Sequence, residues 1–159
     1  MKHTLSILVE DKPGVLTRVA GLFARRGFNI ESLAVGSSED PRLSRITIVI
    51  DGDEHPVDQV TKQLHKLINT LKIRDLDPDN QVSAELLLVR VAGEGEKRTE
   101  VLQIAEIFKA KIVDVDRRQL TLRVVGTNDK LEALLELLRP LGVLEVVRTG
   151  AIAMARGRG

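Results

Sequence analysis

The residues best suited to bind a small molecule lie in a turn near the start of the chain, Asp11–Leu16. A β-type apolar run precedes this turn and an amphipathic helical pattern follows it, so Pro13 and Gly14 lead into a helix N-terminus. The first N–H groups of a helix lack internal partners and carry about half a positive charge through the helix dipole. Gly14 has no side chain that would keep a ligand away from this backbone. The turn can therefore bind a carboxylate without a cationic side chain, although an ordinary turn would have the same sequence.

A second candidate is Asn29, which follows Gly27 and begins a β-type run with Ile30. An asparagine side chain offers both a donor and an acceptor. Asn29 could hold the ammonium or the carboxylate of an amino acid, or it could simply cap the start of the strand. The residues themselves leave both interpretations open.

Hydrophobic periodicity predicts the order strand, helix, strand, strand, helix, strand in the first half of the chain. Pro13 suits the first helical turn and Gly27 a left-handed helix stop. The predicted elements are a strand at Leu5–Glu10, a helix with the stripe Leu16, Val19, Ala20 and Phe23, a strand from Asn29 to about Ser37, a strand at Ile46–Ile50, a helix with the stripe Val57, Val60, Leu64, Leu67, Ile68 and Leu71, and a strand at Lys72–Leu76.

The polar, turn-rich segment Asp77–Asn80 predicts a domain boundary, after which the same order repeats. We expect an α+β protein of two ferredoxin-like βαββαβ domains, residues 1–79 and 80–159. The elements predicted after the boundary are a strand at Ala84–Val91, a charged loop at Glu94–Glu100, a helix with Val101, Ile104, Ala105 and Phe108, a hairpin of Lys111–Asp116 and Gln119–Val125, a helix with Leu131, Leu134, Leu135 and Leu138, and a strand at Val143–Arg148.

Composition excludes several kinds of site. The chain has no cysteine, which rules out disulfides, thiol catalysis and thiolate metal ligands. His3, His55 and His65 are not at metal-ligand spacing, so we expect no metal site. Lys and Arg total 24 against 23 Asp and Glu, with the signs interspersed, so nucleic acid is not an expected partner. No apolar run approaches the ~20 residues of a membrane helix, and we expect a cytoplasmic protein with a solvated basic end at Arg156–Gly159.

Four sequence blocks, in order, resemble one known family. Asp11-x-Pro-Gly-Val-Leu16 resembles the start of an ACT domain, the small-molecule sensor of amino-acid metabolism. The longer run from Gly14 to Leu33 is similar to the small regulatory subunit of acetolactate synthase, also called acetohydroxyacid synthase. The other matching blocks are Asp40–Arg45, Lys62–Leu67 and Arg148–Arg156.

The resemblance implies that residues 1–79 form an ACT domain for effector binding and dimerisation. It implies that residues 80–159 activate a catalytic large subunit and that a branched-chain amino acid (valine, leucine or isoleucine) inhibits by allosteric feedback. This chain would have no catalytic residue, and thiamine diphosphate, magnesium and any FAD would belong to the large subunit. The effector would contact Asp11, Pro13, Gly14, Val15 and Leu16 of one chain and Asn29 and Ile30 of the other. The role of Asp11 is open, because a carboxylate there favours an ammonium and repels a carboxylate.

Two other functions fit the predicted fold less well. An acylphosphatase-like enzyme needs an arginine in the first loop to hold an anion, whereas this loop offers Asp11 and Lys12. A stand-alone ACT regulator of transcription needs a DNA-binding helix pair, and no such segment remains after both domains are assigned.

Overall fold

Six elements in the first half of the chain follow the predicted order of strands and helices. They are β1 (Lys2–Glu10), α1 (Val15–Arg25), β2 (Asn29–Ser37), β3 (Leu43–Asp51), α2 (Val57–His65) and β4 (Thr70–Leu76). The computed structural model describes residues 2–51, 57–67 and 69–157. The strands are antiparallel in the order β2-β3-β1-β4, which leaves β2 and β4 at the two edges. This is the ferredoxin-like arrangement predicted for this half.

One face of this sheet and the two helices enclose the first hydrophobic core. Alternate residues of β1 point to one face, and on the helix-facing side Leu5, Ile7 and Val9 are buried. Helix α1 contributes Val19 and Phe23, which are four residues apart and therefore lie on the same side of the helix. Each such side chain stabilises the fold by about 1.5–3 kcal/mol. The opposite face of the sheet carries none of this core.

The chain turns from α1 into β2 through Gly27, which has φ 78° and is the left-handed stop predicted for this position. The turn places Phe28 against Phe23, with the ring centroids 6.1 Å apart in an edge-to-face contact. The first residue of β2 is therefore Asn29, and its position is determined by the buried aromatic pair before it.

The second half of the chain repeats the order of elements. The sheet has the order β6-β7-β5-β8, and a further strand, β9, pairs with β5. The first two residues of β5, Gln81 and Val82, group with the first compact unit of the chain. The elements are β5 (Gln81–Ala92), α3 (Glu96–Ile107), β6 (Lys111–Val115), β7 (Gln119–Gly126), α4 (Asn128–Leu138), a 3-10 helix (Arg139–Leu141), β8 (Val143–Arg148) and β9 (Ile152–Ala155). The α+β class with two βαββαβ units is confirmed.

A polar cluster around Arg148 joins β5, α4 and β8 within the second unit. The guanidinium of Arg148 donates to carboxylates of Glu85 and Glu132 and, at 3.0 Å, to Asn128 Oδ1. Burial alone would lower the pKa of Arg148, but its hydrogen bonds to Glu132 and Glu85 raise that pKa above its ordinary value. Glu85 is 7% exposed, so Arg148 neutralises a carboxylate that would otherwise be buried alone.

The chain divides into two compact units, one holding residues up to Val82 and from Ala151 onward, the other Ser83–Gly150. The predicted boundary segment is a turn, in which Asn80 N–H donates to Asp77 O at 3.0 Å. The C-terminal residues differ from the domain prediction, which placed everything after residue 79 in the second domain.

The C-terminal strand β9 lies with the first unit because the chain turns after β8 at Gly150, which has φ 85°. Arg156 N–H then donates to Asn80 O at 3.1 Å. Arg156 is exposed, but Ala153 and Ala155 are half-buried. The exposure of Arg156 agrees with the expected solvated end, although its backbone N–H is hydrogen-bonded. Residues 158–159 lie outside the described part of the chain.

Two helices differ from their predicted extents. Helix α2 ends at His65, and Leu71, which fitted the helical stripe, lies in β4 and is half exposed. Ile68 and His55 lie outside the described residues. The segment expected to be a loop is partly helical, since Glu96–Glu100 form the first turns of α3. The helix forms despite its charge because its residues Val101 and Ala105 are buried in the second core. In the described residues, no helix is long and apolar enough to cross a membrane.

Candidate functional site

Gly14 is the N-cap residue of α1 and has φ 83°, a left-handed conformation that glycine adopts without strain. No side chain caps this helix end, and no acidic residue lies in its first turn. The positive end of the helix dipole is therefore not neutralised by the helix itself. Asp11, Pro13 and Gly14 are all exposed. The prediction that Pro13 lies in the first helical turn is wrong by two residues, because α1 begins at Val15.

Backbone hydrogen bonds hold the turn in place. Asp11 N–H donates to Arg42 O at 3.0 Å, which ties the turn to the start of β3. Lys12 N–H donates to Glu10 O at 3.0 Å, and Val15 N–H donates to Lys12 O at 3.4 Å. The turn is thus fixed on a sheet and a helix, which suits a binding site that must keep its shape.

Arg18 is the residue of this site that the sequence analysis missed. A Cβ placed on Gly14 would lie 4.0 Å from Arg18 Nη2, so the guanidinium lies beside the open helix end. Arg18 Nη1 also donates to Asn69 Oδ1 at 3.0 Å, which orients the side chain. Residues four apart on a helix share a face, and the spacing from Gly14 to Arg18 was the available signal. The turn therefore offers a guanidinium as well as backbone donors.

An acidic residue next to the turn is already paired. Glu10 Oε2 lies 2.8 Å from Lys12 Nζ, and Asn69 Nδ2 donates to Glu10 Oε1 at 3.4 Å. The hydrogen bond from Lys12 is the largest cause that holds the pKa of Glu10 below its ordinary value, with the charge of Lys12 and the bond from Asn69 adding to it. Glu10 therefore remains ionised and paired with Lys12. The cation that lies beside Gly14 is Arg18.

The two apolar residues of the turn have different accessibility. Val15 is 3% exposed and packs in the first core, so only its backbone faces the turn. Leu16 is 38% exposed and can contact an aliphatic ligand. Together with the helix end and Arg18, the turn can bind a small molecule that has a carboxylate and an apolar group.

Asn29 and Ile30 are far from the turn within one chain. Asn29 pairs with Asp51, which in turn pairs with Lys2 at the start of β1. The turn follows Glu10 at the other end of β1, eight residues from Lys2, which is about 26 Å along a strand. Ile30 packs partly against the first core. A single chain therefore does not bring the two groups of predicted site residues together.

No cluster of three or more His, Asp or Glu side chains suited to a metal ion occurs in residues 2–51, 57–67 and 69–157. The donors at the turn are instead N–H groups and a guanidinium, which select anions.

Family models match both halves of the chain. The model described as AHAS small subunit-like ACT domain matches residues 5–72, and the model described as small subunit of acetolactate synthase matches residues 84–157. The acetolactate synthase small subunit of Mycobacterium leprae is 52% identical over 98% of this chain and 92% of its own length. The chain belongs to the acetolactate synthase small-subunit family. Residues 5–72 are accordingly the ACT domain of such a subunit, as the resemblance implied.

Other members of the small-subunit family agree over the full length. The probable small subunit of Archaeoglobus fulgidus is 53% identical over 99% of this chain and 98% of its own. A crystal structure of the acetolactate synthase small subunit from Thermotoga maritima superposes with a TM-score of 0.91 at 43% identity, covering 100% of this chain and 99% of that one. The two-unit architecture is therefore shared with a solved small subunit.

Proposed function

We propose that this chain is the regulatory subunit of acetolactate synthase, which activates a catalytic large subunit and responds to a branched-chain amino acid. The observation that carries the proposal is the exposed, uncapped start of α1 at Gly14 with Arg18 beside it, in a chain whose relatives are named acetolactate synthase small subunits. A stand-alone ACT regulator is not favoured, because small-subunit models match both halves.

The effector fits the turn group by group. Its carboxylate would accept hydrogen bonds from the first N–H groups of α1 and from Arg18. Its branched side chain would lie against the accessible Leu16. Its ammonium needs acceptors, which Asp11 or the Asn29 amide oxygen would supply. An aliphatic amino acid satisfies all three requirements, whereas an acidic one would place a second carboxylate near Asp11.

A second copy of the chain would complete the site. Strand β2 is an edge strand, and its Val35 is 48% exposed. Exposed edges readily pair with another strand. Antiparallel pairing of two β2 strands about a twofold axis would place Asn29 of one chain beside Ser37 of the other. Ser37 pairs with Ser44 of β3, and the neighbouring residue of β3, Leu43, pairs with Glu10, which directly precedes the turn. Asn29 of one chain would therefore approach the turn of the other chain.

The cofactors of the holoenzyme are assigned to its other subunit. We expect thiamine diphosphate, magnesium and any FAD to bind the catalytic large subunit and none to bind this chain. The second unit lacks a turn like Asp11–Leu16, which suits it to contacting and activating the large subunit.

The test is a reconstitution with the catalytic large subunit. This chain alone should have no acetolactate synthase activity, and mixing should raise the rate of the large subunit. Valine, leucine and isoleucine should each be titrated by calorimetry and in the activity assay, because one methylene changes binding by only ~1–3 kcal/mol. Sedimentation of the chain alone should show a dimer. The absence of any activation would contradict the regulatory assignment, and a monomer would contradict the two-chain site.

A further inference from the structure

Three side chains at the turn are joined by consecutive hydrogen bonds. Arg18 Nη1 donates to Asn69 Oδ1 at 3.0 Å, and Asn69 Nδ2 donates to Glu10 Oε1 at 3.4 Å. The three residues come from the first turn of α1, the segment just before β4 and the end of β1. Asn69 therefore bridges a guanidinium and a carboxylate that form no ion pair with each other.

The two neighbours of Asn69 determine which way its amide points. A guanidinium only donates hydrogen bonds, and an ionised carboxylate only accepts them. The amide oxygen must therefore face Arg18, and the amide NH2 group must face Glu10. A side chain with only a donor or only an acceptor could not bridge both groups. The arrangement thus depends on the chemistry of Asn69 and not only on its place in the chain.

Backbone hydrogen bonds hold the bridge in place at both ends. Glu10 N–H donates to Asn69 O at 2.9 Å, so these two residues are joined through their backbones as well as their side chains. Arg18 N–H donates to Gly14 O at 3.1 Å, which is the first hydrogen bond of α1. Asn69 is half-buried, whereas Arg18 is exposed. A fixed amide therefore orients an accessible guanidinium.

Without the amide, Glu10 would compete with a ligand for Arg18. Glu10 is ionised, because the hydrogen bond from Lys12 holds its pKa below the ordinary value. Guanidinium and carboxylate groups form strong, often bidentate pairs. Arg18 makes no ion pair within residues 2–51, 57–67 and 69–157. The Asn69 oxygen is a neutral acceptor, so it orients the guanidinium without neutralising its charge.

We propose that Asn69 is a positioning residue of the effector site, which holds Arg18 beside Gly14 and keeps it from pairing with Glu10. The inference rests on the proposed effector site at the turn. The carboxylate of the effector then meets a guanidinium whose place and charge are both preserved. Asn69 acts through Arg18 and does not itself contact the effector.

The first experiment is an NMR titration of the Glu10 carboxyl carbon in the full chain. In Asn69→Ala, Arg18 should move to Glu10 and lower the pKa of that carboxyl below its wild-type value. Arg18→Met should then raise the pKa of Glu10 clearly in the Asn69→Ala background and change it little in the wild type. Equal effects of Arg18→Met in the two backgrounds would show that the amide does not separate the groups, and would overturn the proposal.

The other charged side chains around Glu10 are the same in all four proteins of this comparison. Lys12 pairs with Glu10 from the turn. On the neighbouring strands, Arg45 of β3 and Lys72 of β4 are opposite Leu8, two residues before Glu10. Their contributions to the pKa of Glu10 therefore cancel.

The second experiment is a calorimetric titration of the full chain with valine. Asn69→Ala should weaken valine binding about tenfold, the usual scale for losing one hydrogen bond to a charged group. Adding Glu10→Gln should restore most of that affinity, because the competing carboxylate is gone. Glu10→Gln alone is the reference, since it also frees Lys12. A loss that Glu10→Gln does not relieve would mean that Asn69 supports only the local fold, and would overturn the proposal.

The matched control is Asn80→Ala, the same change at an exposed position directly before β5. It should leave the pKa of Glu10 and the affinity for valine unchanged, and circular dichroism should be unchanged in every variant. An equal loss of valine affinity in Asn80→Ala would contradict a specific role of Asn69. If the wild type binds none of valine, leucine and isoleucine, the proposed effector site fails. The pKa comparison still decides whether Asn69 separates Arg18 from Glu10.

Discussion

Arg18 Nη2 lies 4.0 Å from the position that a Cβ on Gly14 would occupy. A carboxylate added at residue 14 would therefore pair with Arg18 and compete with the carboxylate of the effector. We expect Gly14→Asp to bind valine at least about tenfold, or 1.4 kcal/mol, more weakly than Gly14→Asn. The two side chains have nearly the same shape, and both occupy φ 83°, so strain cancels in the comparison.

Calorimetry with valine measures this difference, and the activity of the reconstituted holoenzyme gives a second readout. Feedback inhibition should be lost in Gly14→Asp while activation persists, because the turn is not assigned to activation. Equal valine affinities of the two variants would place the effector carboxylate away from Gly14.

The distance between Gly14 and Asn29 in one chain leads to a complementation experiment. We expect Gly14→Asp and Asn29→Ala to abolish valine binding when each variant is alone. In a mixed dimer, one site would carry both changes and the other neither, because each site takes its turn from one chain and its Asn29 from the other. Coexpression with two affinity tags isolates the mixed dimer. One valine per mixed dimer at wild-type affinity is the expected result, and no binding would mean that both residues act from the same chain.

The Arg148 cluster predicts that replacing Arg148 lowers stability only while Glu85 is present as its partner. Arg148→Met should lower the stability of the second unit by about 2–3 kcal/mol, because it leaves Glu85 buried and charged; the partial exposure of Arg148 keeps the loss below that of a fully buried pair. Glu85→Leu combined with Arg148→Met should restore most of the loss. Hydrogen exchange of β5 amides reports the opening of this unit. Additive losses in the double variant would show that the two side chains stabilise the unit independently.

The Lys12–Glu10 pair predicts a pH effect at the turn. Because the pKa of Glu10 is lowered in the folded chain, its contribution to stability is present above the pKa of a free glutamate and is lost as pH falls through the lower value. Lys12→Met should raise the pKa of Glu10, measured by NMR titration of its carboxyl carbon. Lys62→Met on α2 should leave it unchanged. An unchanged pKa in Lys12→Met would show that Asn69 alone holds the carboxylate.

Truncation tests whether the first unit binds the effector and the second unit activates the large subunit. A chain ending at Asp79 keeps Gly14, Arg18 and Asn29, so it should dimerise and bind valine, but it should not activate the large subunit. It also loses β9, and its first unit should be less stable than in the full chain by about 1 kcal/mol, a usual cost for losing part-buried contacts. Thermal unfolding and the activation assay check both effects. Full activation by this short chain would contradict the role of the second unit.

Most of the fold was predictable because its signals are local. Alternation in β1 and the spacing of Val19 and Phe23 in α1 depend only on neighbouring residues, and strand β8 was predicted at its observed bounds. Leu71 shows where such signals become ambiguous, because it lies four residues after Leu67 and so fits a helical stripe as well as a strand.

The missed features depend on residues that are far apart in the chain. Glu85 and Arg148 are 63 residues apart, and no local pattern connects them. The small residues Ala151, Ala153 and Ala155 likewise give no strand signal that would place them on the first unit. Arg18 is different, since its spacing from Gly14 was visible in the sequence. It was overlooked because the helix end alone already accounted for anion binding.

The return of the chain to the first unit at Ala151 affects how subunits can be recombined. The second unit, Ser83–Gly150, is inserted into the first unit and does not simply follow it. A single crossover near residue 80 between two homologous genes would join the first unit of one parent to the C-terminal strand of the other. Chimeras that exchange whole units therefore need two junctions, one after Val82 and one before Ala151.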